Sequence, residues 1–240
     1  MRFSLAREAG FTEEEVQLID GNWESSPFPP EWTAALSFTD HFILTPGPLP
    51  LELRNSLFRY FTNAQLSELA IGIGLFHGFS KMLIGLGREP EEMDTTIVPT
   101  PTMPESPAPN VHSGSDEFFH LFKYIPAIKQ RWQLLEKSVW DMDELPESIL
   151  SLIKKRTAIA LGGLHQSPQR ETISPSPDGY ALEITNSFMF NIRGITSDER
   201  AAIVDRYGTN GLLQMFLALA LYDGIFRIKA TELVTDPPSM

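Results

Sequence analysis

The strongest constraint on how this chain folds is a stretch that occurs twice. Residues Ala34 to Gly87, shifted by 146 positions so that Ala35 falls on Ala181, lie over Tyr180 to Leu233 without a gap. Identities are few, among them Leu36/Leu182, Thr39/Thr185, Phe42/Phe188, Leu75/Leu221 and Gly78/Gly224. The substitutions carry the match: Leu49/Ile195, Leu57/Ile203, Phe61/Tyr207, Phe76/Tyr222 and Lys81/Arg227 keep apolar on apolar and cation on cation. Self-similarity at a fixed offset means one supersecondary unit used more than once. The repeat therefore predicts two related halves that share a core.

Nearly every segment outside the loops has helical period, and no stretch alternates as a half-buried strand does, so the chain reads as all-α. Thr12 with Glu15 forms a capping box ahead of a helix over 13–20, and Pro29-Pro30-Glu31 opens the next helix. In that helix Trp32, Ala35, Leu36, Phe38 and Phe42 form the predicted inward stripe. A helix from Pro50 turns Leu53, Leu57, Phe58 and Phe61 inward, and Thr62-Asn63 ends it and caps a long helix over 64–86 closed by Gly87. Residues 89–116 carry six prolines among Thr, Ser and Glu and read as an exposed linker. Beyond it, 118–124 and 128–140 read as helices separated by Pro126, and 147–161 as a helix interrupted by the polar turn Lys154 to Thr157. In the second copy Thr196 caps a helix over 197–207 together with Glu199.

Composition removes several function classes. There is no cysteine, which excludes disulfides, thiolate catalysis and cysteine-ligated zinc or iron–sulfur centres. A net charge of -12 and the absence of a basic run argue against nucleic acid or an anionic membrane as partner. The N-terminus lacks the apolar core of a signal peptide, and the runs 69–79 and 212–222 are shorter than the roughly 20 residues of a membrane span. The expectation is a soluble, cytoplasmic protein. His41, His77, His112, His120 and His165 show no metal-ligand spacing, so neither a metal nor a cofactor is expected. Gly72-Ile-Gly74-Leu-Phe-His-Gly78 lacks the preceding strand of a dinucleotide fingerprint.

The candidate chemistry lies on the two long helices. Gly74 and Gly78 share one face, with Ala220 and Gly224 as counterparts, and small residues at this spacing let helices approach closely. Directly before the shared glycine stands His77 in the first copy and Asp223 in the second, each after an aromatic, Phe76 or Tyr222. Two readings follow for the pair. They partner each other as buried helix-packing groups, because a buried polar group needs a partner. Alternatively, His77 is a general acid or base. Asp40 and His41, on the shorter helix of the same unit, are the nearest candidates to complete a site, with Asn186 replacing Asp40 in the second copy.

Ala6-x-Glu8-Ala-Gly-Phe-Thr-Glu-Glu-Glu-Val16, then Trp32-Thr-Ala-Ala-Leu-Ser-Phe-Thr-Asp40, then Phe61-Thr-Asn-Ala-Gln-Leu66-Ser-Glu68-Leu69 and an apolar helix ending at Leu86-Gly87 follow one another in order. This order resembles the carboxymuconolactone decarboxylase and alkylhydroperoxidase D-like family over most of 1–90 and, more faintly, over 119–233. The resemblance implies two helical bundles packed into one unit: a first, N-terminally short repeat in 1–90, a Pro-rich linker in 91–116 and a second repeat in 117–235. It also implies a homo-oligomer, commonly a trimer or a multiple of one. The Cys-x-x-Cys-x-x-x-His motif of peroxidase members is absent, which excludes thiol peroxidase activity and leaves His165 as its remnant. What the family leaves is a cofactor-independent decarboxylase, lyase or isomerase acting on a small carboxylated lactone or enol. His77, Asp40 and His165 are then the catalytic candidates, with Trp32, His41, Phe76, Tyr222 and Asp223 around the substrate and Arg156, Arg193 and Arg227 as possible partners for a carboxylate. The alternative is a catalytically inactive scaffold of the same family, in which the missing front helices of repeat one leave an apolar face for oligomerisation to cover.

Overall fold

A computed structural model describes residues 2–3, 10, 12–88, 97–98, 121–162 and 177–233. Among these the chain is all-α, with eight helices: α1 (Glu13–Asn22), α2 (Pro30–Leu44), α3 (Leu51–Tyr60), α4 (Asn63–Gly85), α5 (Pro126–Trp140), α6 (Glu147–Gly162), α7 (Pro177–Phe190) and α8 (Ser197–Ala230). A two-residue parallel pair, β1 (Arg2–Phe3) with β2 (Ile97–Val98), is the one departure from helix and turn among the described residues. Most of the linker read over 91–116 lies outside them.

Local chemistry sets the helix boundaries. Thr12, Thr62 and Thr196 each accept from the backbone N–H three residues on, while Glu15, Gln65 and Glu199 reach back to the cap N–H. These reciprocal bonds satisfy donors that a helix start leaves orphaned. Pro30 opens α2 and Pro126 opens α5, so Pro126 begins a helix rather than separating two. Gly87 takes φ 69° just past α4, the left-handed cap. Helix α6 runs unbroken through Lys154 to Thr157, because Thr157 is buried on the same face as Ile149, Leu150, Ile153 and Leu161, while Lys154 reaches Glu136 on α5 and Lys155 is exposed. In α2 the buried line is Ala34, Phe38 and Phe42, with Trp32, Ala35 and Leu36 only half-buried. The inward seam thus runs in steps of four, keeping Phe38 and Phe42 of the expected stripe and adding Ala34.

The most extensive helix contact is α4 on α8, followed by α6 on α8 and α6 on α7. Helix α8 is long and apolar enough to cross a membrane by length and composition, but 89% of its most apolar window is buried within the protein. Gly208, at φ 71°, divides it into 197–207 and 209–230. With that division the offset of 146 lays α2 over α7, α3 over the first part of α8, and α4 over the second part, each within a residue or two at the ends. The α4–α8 crossing is reciprocal under the same exchange. Gly74 faces the Gly224 carbonyl and Gly78 faces the Ala220 carbonyl, and each contact becomes the other when the copies are swapped. Around the crossing, Phe38, Phe42, Phe188, Phe216 and Tyr222 are fully buried, each burial being worth about 1.5–3 kcal/mol.

Candidate functional site

Two counterpart pairs meet at the α4–α8 crossing. Asp223 is fully buried; Lys81 Nζ donates to its Oδ2 at 2.8 Å and Arg227 Nε to its Oδ1 at 2.8 Å. His77 Nε2 lies 3.2 Å from Oδ2, close enough to feel the charge but short of hydrogen-bond alignment, so the nitrogen is enclosed without a formed bond. One turn separates His77 from Lys81 and Asp223 from Arg227, which brings both members of each pair to one face of the helix.

Each cation has a second anchor. Arg227 Nη1 donates to the carbonyls of Phe42 and Ile43, acceptors that the C-terminal end of α2 leaves without a helical partner. Lys81 lies over the ring of Phe188, the counterpart of Phe42, with Nζ 4.6 Å from the centroid. Burial alone would raise Asp223, but the closeness of His77 and the charges of Lys81 and Arg227 outweigh it and hold the carboxyl well below the usual range. Burial dominates at the two bases. It pushes His77 and Lys81 down against the opposing pull of Asp223, and the neighbouring cations add to the effect. His77 is therefore a neutral imidazole at neutral pH beside an ionised aspartate.

The remaining accessible part of His77, 13% of its side chain, borders an open cleft of about 510 Å³ between α2 and α4. Ile43, Leu69, Gly72, Ile73 and Phe76 make its walls, and Thr39 and Ser80 supply hydroxyls. Thr39 donates its hydroxyl back to Ala35 O, while Ser80 stands one turn beyond His77. His77 is the only titratable side chain among the described residues of this lining.

The other sequence candidates are dispersed. Asp40 accepts from Trp23 Nε1 at 3.0 Å and faces the 3-10 turn before α2. His41 donates Nε2–H to Gly47 O and closes the loop after α2. Trp32 packs on Phe28, 5.5 Å between centroids. Phe42, between His41 and the cleft residue Ile43, is the α2 ring that meets His77 edge-on at 6.0 Å. Tyr222 is buried in the other half, accepting from Trp140 Nε1 and donating to Glu136. Arg156 donates to Asn186 at 2.8 Å, and Arg193 lies in the 3-10 turn after α7. His165 lies outside the described residues. Of the residues singled out from sequence, the fold brings together His77, Asp223, Arg227 and, at the cleft, Phe76.

Sequence reasoning missed Lys81, Ile43 and Ser80. For Lys81 a signal was present, since the repeat already aligned it with Arg227 four residues beyond the His77/Asp223 pair.

The same alignment shows what the cleft lacks. Its wall and floor residues Ile43, Leu69, Gly72, Ile73, Phe76 and Ser80 correspond to Met189, Met215, Ala218, Leu219, Tyr222 and Phe226, and every one of these is buried. Helix α6 packs on α7 and α8 there, and α5 adds Trp140 and Glu136 against Tyr222. No family model, curated protein or solved structure matches this chain.

Proposed function

We propose that this chain is a cofactor-independent proton-transfer enzyme of the carboxymuconolactone decarboxylase-like type, a lyase, decarboxylase or isomerase working on a small lactone or enol in the α2–α4 cleft. The observation that carries the reading is His77, a neutral imidazole with Asp223 Oδ2 3.2 Å from Nε2 and the accessible part of its side chain on the cleft. A neutral imidazole takes a proton from a carbon acid and returns it to the product carbanion or enolate, and a carboxylate behind the ring stabilises the imidazolium that forms between the two steps. Asp223 is fixed in its ionised state by two cations, so it offers that charge without taking the proton itself. The apolar walls weaken the hydration of a bound carboxylate, which favours its departure as carbon dioxide. Ser80, one turn from His77 on the cleft lining, offers a hydroxyl to a developing oxyanion. A cytoplasmic location belongs to the same proposal.

The test is solvent-deuterium exchange at carbon, followed by NMR, across small lactones, keto acids and enol acids with wild type and His77→Gln. Exchange or carbon dioxide release lost by at least 100-fold in the variant is the expected result, in keeping with general-base contributions of about 10²–10⁴-fold. The wild-type rate should hold at neutral pH and fall as acid protonates His77, below the ordinary histidine value because burial lowers it. Equal rates in the two proteins, or no exchange with any compound, would remove the proposal.

One observation favours a second reading, a helical scaffold without catalysis. The counterpart of the cleft in the second half is filled by a helix, so the cleft also reads as a vacant seat for packing.

A further inference from the structure

We infer that the substrate of the α2–α4 cleft is an uncharged β,γ-unsaturated ketone or lactone whose double bond is shifted into conjugation with the carbonyl. This substrate class rests on the proton-transfer reading and selects isomerisation among its reactions.

The groups that would receive a carboxylate are committed elsewhere. The described lining of the cleft holds no Asp, Glu, Lys or Arg. Arg227 gives its Nε to Asp223 and its Nη1 to two α2 carbonyls, and Lys81 donates to Asp223 while lying over the ring of Phe188. Arg156 is held by Asn186 and Arg193 belongs to the turn after α7, so none of the three arginines expected to meet a carboxylate lines the cleft. Thr39 donates its hydroxyl proton to Ala35 O. Besides His77, that leaves Ser80 as the side-chain donor among the described lining residues. An ionised carboxylate has two oxygens and about four acceptor sites. One hydroxyl among apolar walls leaves most of them without the water they had outside. A single carbonyl oxygen is satisfied by one donor.

Electrostatics favour the same class. Behind the imidazole two cations share one carboxylate, so the cluster at the crossing carries a positive charge in excess. An interaction speeds a reaction only where it is stronger in the transition state than in the ground state. A substrate that enters as an anion meets that charge from the start. An uncharged carbonyl compound becomes anionic only as its proton leaves, and meets the charge then.

The steps balance without a co-reactant. The neutral imidazole of His77 removes a proton from the carbon between the carbonyl and the double bond. The electron pair of the broken C–H bond moves to the carbonyl oxygen, giving a dienolate to which Ser80 donates. The imidazolium then returns the proton to the γ-carbon, the double bond takes the α,β position and the carbonyl re-forms. His77 is the only titratable side chain among the described lining residues, so one base serves both steps and hydrogen travels from carbon to carbon within the cleft.

The probes are α-angelica lactone, uncharged and β,γ-unsaturated, and the same lactone with a carboxymethyl group in place of its methyl. Ultraviolet absorbance follows conjugation by the full chain, and NMR identifies the products. Wild type should favour the uncharged lactone in kcat/KM by roughly 100-fold, because the charged one enters without a counter-ion. Uncharged lactone deuterated at the α-carbon should carry part of its label to the γ-carbon in ordinary water. Ser80→Ala should lower kcat with little change in KM, and Ser80→Lys should move the preference towards the carboxylated lactone. Ser80 is exposed, so both variants should fold, which circular dichroism checks. Turnover confined to the carboxylated lactone, equal turnover of the two, or a preference that Ser80→Lys leaves unmoved would overturn the substrate class and leave proton transfer standing. Turnover of neither lactone also overturns it, and the proton-transfer reading falls with it only if deuterium exchange is absent from every other compound.

Discussion

Asp223 shows how one buried residue concentrates the energetics of the crossing. Two cations and an imidazole converge on a carboxylate that has no access to water, and desolvating such charges is tolerable only while each has its partner. Asp223→Asn keeps the shape and removes the charge, leaving Lys81 and Arg227 buried without it. We expect a loss of about 3–5 kcal/mol in urea unfolding, the range for breaking one side of a buried ion pair. A loss under about 1 kcal/mol would mean that the α2 carbonyls and the Phe188 ring satisfy the cations on their own. The contact between His77 and Asp223 was readable from the repeat as one of two open alternatives. The convergence of both cations on Asp223 was not, because it depends on how deeply two helices sink into each other, and spacing along a chain says nothing of depth.

At the scale of helices that depth is set by glycine. A Cβ on Gly224 would stand 2.5 Å from the Gly74 carbonyl oxygen, and one on Gly78 would meet the Ala220 backbone, neither of which can move without separating the helices. Gly72 lies on the same helix with nothing near the position of its Cβ. Alanine is better than glycine in a helix by about 0.8–1 kcal/mol, so propensity alone predicts that both Gly72→Ala and Gly78→Ala stabilise. Packing reverses the sign at Gly78, where overfilling costs about 1–3 kcal/mol or more. Gly72→Ala should therefore raise the melting temperature and Gly78→Ala lower it, and thermal melts of the two variants decide the matter. The small-residue spacing and the threonine caps were legible because each is a local device with a local signature. The seam of α2 was less so, since Leu36 and Phe38 are both apolar and only the position of the neighbouring helices makes Phe38 the buried one. The continuity of α6 was hidden for the same reason: Lys154 and Arg156 read as a polar turn until Thr157 is seen buried between them and the end of the helix.

For the whole molecule, the largest helix contact joins the first half to the second, α4 to α8, rather than joining neighbours along the chain. The contacts there cross between the halves throughout: Gly74 meets Gly224 and Gly78 meets Ala220, Arg227 reaches the Phe42 carbonyl, and Lys81 lies over the Phe188 ring. If they hold the halves together, the covalent link between Arg88 and Leu121 is dispensable once the chain has folded. Introducing a protease site there and cutting the folded protein should leave two fragments that co-elute in native size exclusion and separate only in denaturant. The buried charge cluster sharpens the expectation, because separating the halves would strand Asp223 and Arg227 on one fragment and Lys81 on the other. The same cut in Asp223→Asn should then let the fragments part at lower denaturant concentration. Fragments that separate on cutting without denaturant would assign the cohesion to the connecting segment and not to the crossing.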